Sequence, residues 1–251
     1  MIIYVWSATL SAIERLGQPF TRHASVPAAE IAHVMLQPGA VHAVHEVVDM
    51  IKAAAQNHGS IHLLIFNSHG RITEMLARDG HRRDLRAGLA MEEGGGLWTA
   101  DALPSFATLD DPAGSWFSSG NEGIELHACN IAHGMEGRQF CQTMANHTGV
   151  RVYGGLDEQL GTLHDVRSVL PWRGYEPDPE SDPHGYFEGP TLCFERGAIN
   201  PRDAAEDLRA RGAWRRGTPF LYTPHEVDIY ELDHPAHVIT AADVRREGVF
   251  D

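Results

Sequence analysis

Two short stretches carry residues whose types and spacing suit covalent chemistry. Residues 61–66, IHLLIF, form an apolar run of strand length, and Asn67, Ser68, His69 and Gly70 follow it directly. Residues 124–128, IELHA, form a second run, which ends at Cys129. In an open α/β sheet, functional groups gather beyond the carboxyl ends of the strands. If these two runs are parallel neighbours, His69 and Cys129 emerge on one edge of the sheet. The imidazole then serves as general acid/base and the thiol as nucleophile. Gly70 has no Cβ, so its N–H can approach a substrate carbonyl closely, and with the Cys129 N–H it would form an oxyanion hole. A thiol at the point where a strand gives way to a helix is also near N–H groups that favour thiolate. Ser68, His127 and Asn130 flank these positions and are expected beside the site.

Plainer readings stand next to this one. A cysteine is often a small buried hydrophobe, and His69 can be a turn residue. His-Gly occurs at 58–59, 69–70, 133–134 and 184–185, but only His69 follows an apolar run. Cys141 lies on an apolar helix face and Cys193 alternates within a strand-like run, so both are expected in packing. His127 is two residues before Cys129 and reads first as a core histidine. Metal is the rival chemistry. His42, His45, Glu46 and Asp49 share one side of a helix, and His127, Cys129 and His133 form a second loose group. HxxHE lacks the arrangement that supplies a general base in HExxH sites, so no metal or other cofactor is expected. His164-Asp165 reads as a loop pair, and Arg82, Arg83 and Arg86 as a solvated basic face.

The elements that must hold these residues follow from apolar pattern. Residues 1–7, MIIYVWS, read as a strand, and Pro27 opens a short helix over 28–36. Residues 40–56 are the clearest helix, with Val44, Val47, Val48, Ile51 and Ala55 at helical spacing. The run 61–66 is a strand, 72–77 a helical turn, and 99–121 an irregular stretch rich in Pro, Ser, Gly and Asp. Residues 136–147 read as a helix that Thr148-Gly149 ends, and 150–153 as the next strand. Strand, helix and strand over about 30 residues form a parallel βαβ unit. Residues 154–189 are loop-rich, 190–195 read as a strand, and 201–211 as a helix capped by Asn200. FLYTP, VDIYEL and a helix over 240–246 close the chain.

Composition sets the class. At 251 residues with 43% hydrophobic content, the chain can bury one substantial core. The formal charge of −14 argues against nucleic acid and is compatible with a basic partner or peptide. Three cysteines without paired spacing support neither a disulfide framework nor a metal knuckle. No apolar run has the length of a membrane span, and the first residues read as a strand rather than a signal peptide. No membrane contact and a cytoplasmic location are therefore expected.

NSHG after one apolar strand and HAC after a second resemble the clan CD cysteine peptidases, which include caspases, metacaspases, gingipains and separases. Residues 124–155 also resemble a caspase-like domain of unknown function near the N-termini of large bacterial adhesins. The matching positions are Cys129, Asn130, Ala132, Gly134, Gly137, Phe140, Thr148, Gly149 and Val152. The resemblance implies an α/β three-layer sandwich with a mostly parallel central sheet between helices, and a His69/Cys129 dyad that cleaves peptide bonds. The expected organisation is a peptidase domain over 1–196 and a C-terminal appendage over 197–251 that packs on it or meets a partner protein. A catalytically inactive interaction module is the alternative, and a zinc-dependent hydrolase the third.

Overall fold

The computed structural model describes residues 1–9, 26–40, 42–76, 83–91, 97–111, 114–156 and 187–215. Fourteen strands and three α-helices lie in these stretches. Strand β1 (Ile2–Trp6) is followed by a 3-10 turn (Ala28–Glu30), β2 (Ile31–Met35), helix α1 (Val44–His58) and β3 (Leu63–Asn67). A hairpin of β4 (His69–Leu76) and β5 (Arg83–Ala90) comes next, then β6 (Leu97–Trp98) and two 3-10 turns, Ala100–Ala102 and Pro104–Leu109. Strands β7 (Asp110–Asp111) and β8 (Gly114–Ser115) lead to β9 (Gly123–His127), α2 (Gly134–Thr148) and β10 (Val152–Gly155). The last described elements are β11 (Phe187–Glu188), β12 (Thr191–Phe194), β13 (Arg202–Asp203), α3 (Ala205–Ala210) and β14 (Trp214–Arg215).

The fold is mixed α/β around a seven-stranded sheet in the order β13-β12-β10-β9-β3-β1-β2. From β2 to β10 every neighbouring pair is parallel, and β12 and β13 add antiparallel strands at one edge. Strands β1, β3 and β10 are buried along most of their length, which is why they read as continuous apolar runs. One face carries Ile3, Val5, Leu64, Phe66, Ile124, Leu126 and Val152, packed against Val47, Val48 and Ile51 of α1 and Phe140, Met144 and Ala145 of α2. Leu103, Phe106 and Leu109 of the 3-10 turns join the same cluster. Full burial of one such side chain contributes about 1.5–3 kcal/mol. On the opposite face, Tyr153 and Cys193 pack with Phe187, Ala204, Leu208 and Ala213, which puts α3 across the sheet from α1 and α2.

Several local expectations are corrected. The stretch 28–36 is a turn and a strand, not a helix. Its Ala-rich sequence favours helix, but pairing of Ile31–Met35 with β1 satisfies an entire row of backbone groups. Of the helical turn expected over 72–77, residues 72–76 are strand, because β4 pairs antiparallel with β5 from His69↔Ala90 to Leu76↔Arg83; residue 77 lies outside the described residues. The stretch 99–121 is not irregular throughout, since its 3-10 turns bury Phe106 and Leu109. The helix expected over 201–211 starts later, after β13, and Asp203 rather than Asn200 supplies the side-chain oxygen that accepts from the Ala205 N–H, at 2.7 Å. The expected boundary at 196 falls between β12 and β13, which pair in the same sheet. FLYTP, VDIYEL, 240–246, Arg82 and His164-Asp165 lie outside the described residues.

Helix termini follow ordinary capping rules. The Glu46 carboxylate accepts from the Ala43 N–H at 2.9 Å at the start of α1. At the end of α2, Gly149 takes φ 70°, and its N–H donates to Ala145 O.

Candidate active site

Register places the two chemical residues. The last paired residues of β3 and β9 are Asn67 and His127. Ser68 and Ala128 follow, then His69 and Cys129, so both lie two steps beyond the same registered pair. Parallel neighbours are about 4.8 Å apart. The Ser68 N–H donates to His127 O at 3.2 Å and carries the pairing one step further.

Gly70 shows how close the two loops come. A Cβ built there would overlap the Cys129 carbonyl oxygen and lie 2.8 Å from its carbonyl carbon and 3.0 Å from its nitrogen. Only glycine permits that approach. The structure thus brings Gly70 against the Cys129 backbone, with His69 next to it. His69, Gly70 and Cys129 are all partly exposed.

The hairpin end that begins with His69 is fixed to the sheet by hydroxyls. Ala90, the register partner of His69, has a carbonyl that accepts from Ser7 Oγ at 2.6 Å, Thr9 Oγ1 at 2.8 Å and Ser68 Oγ at 2.8 Å. These three residues sit beyond β1 and β3, where the chain order of the sheet reverses. Ser68, expected only as a neighbour, therefore clamps the loop that carries His69. Ser7 and Thr9 escaped the sequence reading because nothing local links them to residue 90.

The turn after Cys129 is equally specific. Among the described residues, Asn130 is the one non-glycine with positive φ, at 54°. Asn tolerates this region better than other side chains. The His133 N–H donates to Asn130 O at 3.1 Å and the Ala132 N–H to Gly155 O at 3.0 Å, which ties the turn to the end of β10. His133 Nδ1 lies 3.3 Å from Leu156 O.

The other cysteines are buried as expected. Burial pushes the Cys141 thiol well above the ordinary range, and its Sγ–H donates to Ile131 O at 3.7 Å. Burial also raises the Cys193 thiol. Cys129 alone of the three is partly exposed, as a reactive thiol must be.

Sequence reasoning missed Glu125. It is wholly buried, and its Oε2 accepts from His127 Nε2 at 2.9 Å. The signal was a charged residue inside an otherwise apolar run. Arg211 approaches from beyond α3, with Nη2 3.6 Å from Glu125 Oε1 and Nη1 3.1 Å from Glu122 Oε2. Its guanidinium lies over the Tyr153 ring at 4.7 Å. Burial raises the Tyr153 hydroxyl to about 12 against the pull of Arg211. His127 stacks on Phe187 with ring centroids 4.5 Å apart. His127, two residues before Cys129, has its Nε2 turned to Glu125.

The helix expected from residue 40 begins at Val44, so His42 lies before it and does not share a helix side with His45, Glu46 and Asp49; its Nε2 accepts from the Gln37 N–H at 3.4 Å, while Glu46 is engaged in capping. Among the described residues, no three His, Cys, Asp or Glu side chains converge in a way that would hold a metal ion. No described helix is long and apolar enough to cross a membrane. Comparison with protein-family models, with curated proteins and with solved structures finds no match to this chain.

Proposed function

We propose that the chain is a caspase-like cysteine endopeptidase, a three-layer sandwich whose dyad is His69 and Cys129. The observation that carries this reading is the contact of Gly70 with the Cys129 backbone at the registered ends of β3 and β9. In the proposed reaction, Cys129 Sγ attacks the scissile carbonyl carbon while His69 takes the thiol proton. The Gly70 and Cys129 N–H groups receive the developing oxyanion. The C–N bond then breaks, the proton passes from His69 to the leaving amine, and water hydrolyses the thioester. The substrate is a protein or peptide, no cofactor takes part, and the cytoplasm is the proposed location. The proposed contact for a partner protein is the appendage over residues 197–251.

The test compares wild type, Cys129→Ala and His69→Ala on a peptide library, with and without chelator. Cleavage lost in both variants and indifferent to chelator is the expected result. Cleavage that survives Cys129→Ala refutes the cysteine mechanism, and loss on chelation favours a metal hydrolase. No cleavage, together with no labelling of Cys129 by a thiol probe, leaves an interaction module.

A further inference from the structure

We propose that His127 is the positioning residue of this site and that Glu125, Phe187 and Arg211 hold it, which makes residues 187–215 a control element on Cys129. The inference rests on Cys129 being the reacting group.

His127 sits at the pivot between the two loops. Its carbonyl accepts from the Ser68 N–H, one residue before His69. A tight bend, in which the Ala128 N–H donates to Leu126 O at 3.0 Å, wraps around it and turns the chain toward Cys129. Movement of His127 therefore shifts both loops.

The side chain is fixed on two sides. Its Nε2–H donates to Glu125, and its ring face lies on Phe187 at an interplanar angle of 26°. A carboxylate with no exposure is costly to bury unless it is compensated. A leucine at position 125 would fill the sheet face without that cost. Compensation comes from His127 and from Arg211, whose Nη1 also donates to Glu122 O at 3.2 Å. Among the described residues, charged or titratable groups around this pair include Glu122, His62 (3.7 Å from Glu122), Tyr153 and Cys193, with Arg151, Arg202 and Glu195 near the last two.

Phe187, which packs on the His127 ring, and Arg211, which faces Glu125, come from one patch. The Phe187 N–H donates to Ala213 O at 2.8 Å, and β11 pairs with β14, so Phe187 and Arg211 are tied together. A buried charge pair is weak evidence for stability, because desolvation offsets its attraction. What the pair fixes here is the geometry of the bend before Cys129, held from a segment remote in sequence.

The test is the rate of Cys129 alkylation by iodoacetamide as a function of pH, measured on the full chain and checked by mass mapping. His69→Ala comes first. If it leaves the profile unchanged, the dyad reading fails and this inference fails with it. If it moves the profile, His127→Phe and Arg211→Met are expected to move it in the same direction as His69→Ala, with alkylation at neutral pH roughly tenfold slower than wild type. His127→Gln, which keeps a donor for Glu125, should restore most of the rate. Phe187→Leu reads the same contact from the other side if His127→Phe does not fold. A profile shifted by His69→Ala but untouched by the His127, Phe187 and Arg211 variants overturns the proposal and leaves the dyad standing.

Discussion

Gly70→Ala tests the contact on which the candidate site depends. The added Cβ would meet only backbone at Cys129, with the carbonyl carbon at 2.8 Å. An optimal carbon pair is about 3.5–4.0 Å apart, and the overlapped carbonyl oxygen is nearer still than that carbon, so the loops must separate by more than about 1 Å. Overpacking of this kind costs about 1–3 kcal/mol. For a chain of this size, each kcal/mol lowers Tm by about 2–4 °C, so a fall of roughly 2–12 °C is expected. A displacement of about 1 Å at a reacting pair can reduce rate by about 100-fold. The Cys129 alkylation rate at neutral pH and peptide cleavage should both fall. Gly88→Ala is the matched control. Its Cβ would overlap the Trp98 carbonyl oxygen and lie 2.8 Å from the carbonyl carbon, in the same hairpin, opposite Arg71 and against β6 rather than against Cys129. It should lower Tm by a similar amount and leave Cys129 reactivity close to wild type. Refutation would be Gly70→Ala with wild-type Tm and alkylation rate, or the two variants losing reactivity equally.

Two further outcomes follow from local geometry. Asn130→Gly should keep Tm within a few degrees, because glycine accepts φ 54° freely, whereas Asn130→Ala should lose about 1–2 kcal/mol; equal stability of the two in urea unfolding would contradict the strained turn. Burial raises the folded-state thiols of Cys141 and Cys193 and the Tyr153 hydroxyl. A raised folded value means stability is fully present below the unfolded value, 9.0 for the thiol, and declines as pH rises above it. Unfolding free energy should therefore drop between about pH 9 and pH 11, by up to about 1.4 kcal/mol per pH unit for each titrating group. Cys141→Ala should flatten that slope, as chemical denaturation at stepped pH would show.

The legibility of the chain tracked how much of each element's stability is local. Strands β1, β3 and β10 are buried through most of their length, so their runs of Ile, Leu, Val, Phe and Tyr are visible without a partner. Helices α1 and α2 show their periodicity for the same reason. Strand β2 does not, because only Val34 of its five residues is buried and its Ala and Glu neighbours favour helix. Its state is decided by β1. The β4–β5 hairpin was hidden by charged residues that break the alternation of apolar ones. At the site, His69, Gly70 and Cys129 could be placed beyond strand ends because each lies within four residues of the end of an apolar run. Arg211 could not, since its partner Glu122 is 89 residues away and the pair exists only after folding.

Glu125 links these observations through register. A parallel strand that slips by one residue turns every side chain to the other face. For β9, that slip would carry Glu125 into the layer of Leu64, Phe66 and Phe140 and take Ile124 and Leu126 out of it. His69 and Cys129 would no longer stand equally far beyond their strands. A buried carboxylate with dedicated partners penalises the slipped arrangement, whereas an apolar residue would fit either face. The double variant Glu125→Leu/Arg211→Met removes both charges of the buried pair together; Glu122 keeps His62 at 3.7 Å, and His127 Nε2 loses its acceptor. Replacements of this kind are often neutral or stabilising by about 1–4 kcal/mol. Urea unfolding should show a chain at least as stable as wild type, while Cys129 alkylates more slowly and no longer as a single phase. Unchanged, single-phase alkylation in a stable double variant would show that register and site are set without Glu125.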